Sequence, residues 1–140
     1  MAKAAKPLLL DTHFWIWHQL GVAENVGHRA QGAIQEAADA GNLLLSVISV
    51  WELGLLEAKG RIHLDSACED WVQEALATPG LVLVPLTPEI AIDSTRLPHP
   101  FHGDPADRII IATARRLGAR LATRDAKMLA WGRKHGLALL

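Results

Sequence analysis

The stretch Phe101-His102-Gly103-Asp104-Pro105-Ala106-Asp107-Arg108-Ile109-Ile110-Ile111-Ala112-Thr113-Ala114 decides how this chain is read. A Pro-rich segment ends there, two carboxylates appear close together, and a strongly apolar helix begins. Helix grammar explains part of it. Asp104 is a good N-cap, Pro105 suits the first helical position, and Asp107 falls near the positive end of the helix dipole. Capping alone would account for both acids. The reading turns toward a site because Asp11, Glu52 and Asp125 occur at similar junctions or on an apolar helix face.

Outward from this stretch, short apolar runs alternate with amphipathic segments. Leu8–Leu10, Leu43–Leu45, Leu81–Val84 and Arg120–Thr123 are too short for helices and read as strands. Helices are predicted from Asp11 or Thr12 to near Gly21, from about Glu24 to Ala40, and from Val47 to Lys59 behind a Ser46 cap. Others are predicted from Asp65 to Ala77, from Thr87-Pro88 to Leu97, from Pro105 to about Leu117, and from Asp125 through Trp131. Leu137–Leu140 reads as a short last strand. The alternation specifies an α/β fold with a mainly parallel sheet, in which the functional crevice lies beyond the carboxyl ends of the strands. Asp11, Asp104, Asp107 and Asp125 follow strands or begin helices at that end. Glu52 lies in an apolar stripe with Ile48, Trp51 and Leu55, where a carboxylate must find a partner or incur a desolvation cost.

The length of 140 residues suits one domain over residues 1–140. The single Cys68 reads as a core residue; it cannot form an internal disulfide, and no Cys/His cluster suggests zinc, so a reducing cytoplasm is expected. No run approaches the length of a transmembrane helix. The net charge of −1 hides an asymmetry: residues 1–95 hold 5 Lys or Arg against 12 Asp or Glu, and residues 96–140 hold 9 against 3. A basic C-terminal third with a few isolated acids suits a polyanion held beside a cation. Arg115, Arg116, Arg133 and Lys134 read as solvated helix faces. His99 and His102 flank the acidic stretch, where they could touch a phosphate.

Carboxylates converging at one edge repel one another unless one is protonated or a cation neutralises them. An oxygen-only set suits Mg²⁺ or Mn²⁺, and such an ion favours phosphate-ester hydrolysis. Walker A, GxGxxG and GxSxG sequences are absent, which leaves nucleotide-cradling and serine-hydrolase chemistries unsupported.

LLLDTH at the start, SVWEL with Glu52, HGDPADRIIIATA, and ATRD with Asp125 together resemble the PIN-domain ribonucleases, in particular the VapC-like toxins of toxin–antitoxin pairs. The resemblance runs from about Leu8 to Trp131. It implies a three-layer α/β/α sandwich with an acidic pocket for Mg²⁺ or Mn²⁺, built by Asp11, Glu52, Asp107 and Asp125. Asp104 belongs to a DPxDR version of the motif and could be a ligand, a cap or both. Thr12 and Thr123 match positions that orient the acids. The implied reaction is endonucleolytic cleavage of single-stranded or loop RNA by a metal-activated water, leaving a 3′-hydroxyl and a 5′-phosphate. The implied partners are RNA, a VapB-like antitoxin and a second copy of the chain, with no membrane. Arg108, Arg124 and Lys127, beside the expected pocket, are the candidates for RNA phosphates. Two alternatives are a catalytically silent PIN-like module that binds RNA or protein, and a phosphoacceptor receiver domain. The receiver reading would need an Asp ending the third strand, where Val84-Pro85-Leu86 stands.

Overall fold

The computed structural model describes residues 6–98, 101 and 103–140, so His99 and His102 lie outside the described residues. The elements are β1 (Leu8–Leu10), α1 (Thr12–Leu20), α2 (Ala23–Val26), α3 (His28–Asp39), β2 (Leu43–Ser46), α4 (Val47–Ala58), α5 (Cys68–Leu76), β3 (Leu81–Val84), α6 (Pro88–Ser94), α7 (Pro105–Leu117), β4 (Arg120–Ala122) and α8 (Ala126–Lys134). The four strands form one sheet in the order β3-β2-β1-β4, and every pairing is parallel. Leu9 pairs with Leu44 on one side and with Leu121 on the other.

The leucine runs are apolar on both faces because both faces are covered. Leu8, Leu10, Leu43 and Leu45 pack against Trp15, Ile34, Leu53 and Trp71 from α1, α3, α4 and α5. The alternate residues Leu9, Leu44 and Leu121 pack against Ile90, Ile110, Met128 and Trp131 from α6, α7 and α8. This is the expected α/β/α sandwich, its two cores divided by the period-two alternation of the strands. Among the described residues, no helix is long and apolar enough to cross a membrane.

Four expectations are corrected. The helix expected from Glu24 to Ala40 is broken in two, because Gly27 adopts φ 83°, outside the helical region. The helix expected from Asp65 begins at Cys68, and that side chain is partly exposed in the first turn instead of buried in the core. The last strand reduces to an isolated parallel bridge between Leu121 and Leu139, because only the backbone on either side of Leu139 reaches β4. Of the stripe Ile48, Trp51, Glu52 and Leu55, Ile48 packs partly buried against a core, and the rest turns outward. Trp51 is 57 % exposed and Leu55 38 %, whereas Ser49 and Leu53 are fully buried. The helix is turned so that Leu53 enters the leucine-lined core, which leaves Glu52 at its rim.

Two surface expectations also change in detail. Arg116 is paired rather than merely solvated: its Nε lies 2.9 Å from Asp93 and its second nitrogen 3.1 Å from the same carboxylate. Arg115 lies over the Trp131 ring at 5.8 Å.

Candidate metal centre

The strand order, which runs outward from β1 through β2 to β3, switches to the other side of β1 at β4, and the acids gather beyond the carboxyl ends of β1 and β4. Asp11 is the residue that leaves β1. It is buried, and it caps α1. Its Oδ1 accepts the Thr12 backbone N–H at 2.8 Å, and its Oδ2 accepts the Thr123 hydroxyl at 2.8 Å. Thr123 Oγ1 in turn accepts the Asp125 N–H at 3.0 Å, and Asp125 Oδ1 caps α8 by accepting from Met128 N at 2.9 Å. The ends of β1 and β4 are thus tied through one hydroxyl. Asp125 itself is exposed at the mouth.

The other side of the crevice is built by α4 and the start of α7. Thr12 Oγ1 donates to Glu52 Oε1 and lies 2.8 Å from Ser49 Oγ. A hydroxyl carries one proton, so with that proton given to an ionised Glu52, Ser49 is the donor to Thr12. Asp104 caps α7, its Oδ1 accepting from Asp107 N at 2.9 Å, and its other oxygen remains available. One carboxylate oxygen from each of Glu52, Asp104 and Asp107 lies within 4.8 Å of the others. Asp104 is therefore both a cap and a member of the tightest acidic cluster among the described residues.

The cluster distorts its own titration. Burial raises the Asp107 carboxyl most, and the charges of Asp104, Asp11, Glu52 and Asp125 add to it, pushing it up to about 7. Glu52 is raised by burial and by Asp104 and Asp11, against the lowering effect of the Thr12 hydrogen bond and His13. Asp11 is raised by burial and slightly by Asp125, although the Thr123 and Thr12 hydrogen bonds and His13 oppose this. No Lys or Arg forms an ion pair with any of these acids among the described residues. The donor set is oxygen only, and its like charges are unbalanced. Both properties fit a hard divalent cation.

The structure brings all five predicted acids to one edge, with Glu52, Asp104 and Asp107 in the tight cluster and Asp11 and Asp125 beside it. Thr12 and Thr123 orient Glu52 and Asp11 respectively. Arg108 is half-exposed directly after Asp107, and Arg124 and Lys127 are exposed around Asp125. Sequence reading passed over Ser49. Its signal was its position one helical turn before Glu52, on a buried face where a hydroxyl needs a partner.

The sheet and the crevice define an α/β/α domain with a carboxylate centre at its topological switch point. The chain belongs to the PIN domain family, whose sequence model matches residues 8–134. It is 35 % identical over 121 residues to Ribonuclease VapC22 of Mycobacterium tuberculosis, covering 86 % of this chain and 88 % of that protein. Two solved structures share the fold. VapBC2 from Rickettsia felis bound to a promoter DNA fragment matches with a TM-score of 0.68 at 14 % identity, over 95 % of this chain and 96 % of that one. FitAcB from Neisseria gonorrhoeae matches with a TM-score of 0.64 at 22 % identity, over 95 % and 96 %.

Proposed function

We propose that this chain is a divalent-metal-dependent endoribonuclease that cleaves single-stranded or loop RNA, and that it is the toxin of a toxin–antitoxin pair. The observation that carries the chemistry is the cluster of Glu52, Asp104 and Asp107, in which burial and the neighbouring carboxylates push Asp107 up to about 7. Family membership and the named ribonuclease relative support RNA as substrate.

In this reading Glu52, Asp104 and Asp107 hold the ion, with Asp11 and Asp125 completing the set. A bound Mg²⁺ or Mn²⁺ would supply a Lewis acid for the phosphodiester and lower the pKa of a water. Asp11, fixed by Thr12 and Thr123, and Glu52, fixed by Thr12, keep their oxygens in place without reorganisation. With the ion bound the cluster would stay ionised, and a carboxylate oxygen of the set not engaged by the ion would accept the proton that the attacking water gives up. The new bond is between water oxygen and phosphorus. The bond that breaks is to the ribose 3′ oxygen, which leaves as a hydroxyl, and the phosphate stays on the 5′ end of the other fragment.

The similarity to Ribonuclease VapC22 and to VapBC2 supports a VapB-like antitoxin as partner. A homodimer would cover apolar side chains left in solvent, such as Trp51 and Leu55 on α4. The free Cys68 is compatible with a reducing cytoplasm.

The test is cleavage of a mixed, partly single-stranded RNA pool by purified protein with Mg²⁺, Mn²⁺ or EDTA, beside Asp107→Asn. Cutting that needs the metal and vanishes in the folded variant is the expected result. Undiminished cutting by Asp107→Asn would remove that residue from the mechanism. No cutting with any metal by folded, antitoxin-free protein would favour the silent binding module.

A further inference from the structure

A second cavity of about 280 Å³ adjoins the acidic crevice on the β4 side. Its wall includes Thr123, the residue whose hydroxyl is bonded to Asp11, so the two spaces share a side chain. Unlike the crevice, this cavity is lined by basic side chains: Arg29 and His28 from the first turn of α3, and Arg124 from the β4–α8 turn. Arg29 and Arg124 are exposed, and neither has a carboxylate partner among the described residues. The rest of the wall is apolar, from Phe14, Val26 and Leu140.

The placement of Arg29 is locally unfavourable. Cations are disfavoured at the start of a helix, where the dipole is positive, and α3 has no acidic residue in its first turn and no side-chain cap to offset them. A basic cluster assembled against that preference, without internal anions, is satisfied when an anion arrives from outside. RNA supplies one. A strand whose scissile phosphate sits over five carboxylates carries its neighbouring phosphates within about 8 Å of the same acids, a distance over which charges are felt at physiological salt. Those phosphates need positive charge beside the crevice, and the Arg29/Arg124 cavity provides it on the β4 side.

We propose that this cavity is a phosphate subsite for the RNA strand, in which Arg29, Arg124 and His28 hold a backbone phosphate next to the one being cleaved. The proposal rests on the ribonuclease reading and adds two substrate contacts, Arg29 and His28, from a part of the chain with no catalytic acid. It gives the strand a direction across the crevice: past Thr123, toward the start of α3. The apolar wall accommodates the adjoining sugar or base without a hydrogen-bond code, so the subsite adds affinity rather than sequence choice.

The test is binding of a short mixed-sequence single-stranded oligoribonucleotide, followed by fluorescence anisotropy over a range of salt, in an Asp107→Asn background that blocks cleavage. Arg29→Ala with Arg124→Ala should weaken binding by about tenfold or more and reduce the salt slope by about 0.7, as expected for one single-stranded phosphate no longer neutralised. Lys134→Ala, in the last turn of α8 and outside this cavity, serves as a charge control and should leave both nearly unchanged. Arg29 is exposed in a helix terminus that disfavours it, so its removal should not impair folding, which circular dichroism checks. RNA bound by the parent with unchanged affinity and slope in the double variant would overturn the subsite and leave the ribonuclease reading standing. An equal loss in Lys134→Ala would overturn it in favour of diffuse attraction. No RNA binding by the parent, together with no cleavage by the unmodified protein, would overturn both.

Discussion

Asp11 and Asp107 face the same crevice and are held in opposite ways. Asp11 is buried at the end of a central strand, and both its oxygens receive donors, one from backbone and one from a threonine hydroxyl. Asp107 is half-buried at the start of a helix, and its surroundings supply four neighbouring negative charges as well as burial. The first acid is positioned by the protein alone. The second is placed where only a proton or a cation makes it comfortable. In the proposed reading the rigid Asp11 would fix one side of a metal site, while the helix-borne cluster would supply much of the electrostatic drive to bind the ion.

That contrast can be broken at either acid's support. The largest effect is expected in the cluster. Glu52→Gln removes one of three converging carboxylates and should weaken Mn²⁺ binding by at least about a hundredfold, which titration calorimetry would measure, if a bound ion rests on this set. Affinity unchanged by the substitution would take Glu52 out of the site. A smaller effect is expected on the strand side. Thr123→Val deletes the donor to Asp11 and the acceptor of the Asp125 N–H at similar volume. Cleavage or metal affinity should fall by about 10- to 100-fold, the usual cost of losing a group that orients a ligand. A fall of less than twofold would mean that burial alone fixes Asp11.

The two halves of the crevice differed in how legible they were. The leucine runs announce a parallel sheet because strands covered on both faces need no polar alternation, and the acids that end those runs could be placed at one edge from order alone. Asp104 was readable as a cap, and its role in the cluster depends on the distance between α4 and α7, which no local pattern encodes. The α4 stripe misled for a related reason. Ile48, Trp51 and Leu55 have helical spacing, but Trp51 and Leu55 face solvent while Ser49 and Leu53 are buried, and periodicity does not reveal which of two adjacent stripes meets the sheet. Gly27 within a helical pattern was a break that only its positive φ reveals. The basic cavity was legible at Arg124 but not at Arg29, which lies in the acidic part of the sequence and reaches that cavity through the tertiary fold.

The contrast is sharpened by pH, because only Asp107 is pushed as high as about 7 from 3.8. Between these values the folded protein retains a proton that the unfolded chain has released. Stability therefore falls as pH rises through this window, and the loss is complete above about 7. Asp107→Asn removes that ionisation. At pH near 8 without metal, the variant should be more stable than the unmodified protein by about 1–2 kcal/mol, a figure discounted for the solvent screening of a half-exposed group. The difference should narrow toward pH 4 and vanish below it, once Asp107 is protonated in the unfolded as well as the folded chain. His18, whose pKa is lowered by burial, gives an opposite trend over part of the range. It is present in both proteins and cancels in the difference. Saturating Mn²⁺ should reverse the order at pH 8, since an ion that binds only the folded, ionised cluster stabilises the unmodified protein and not the variant. Chemical denaturation at each pH, with and without the ion, reads all of these quantities. A variant no more stable than the unmodified protein at pH 8 would mean that Asp107 already has a compensating partner, and the cluster would lose its claim to need a cation.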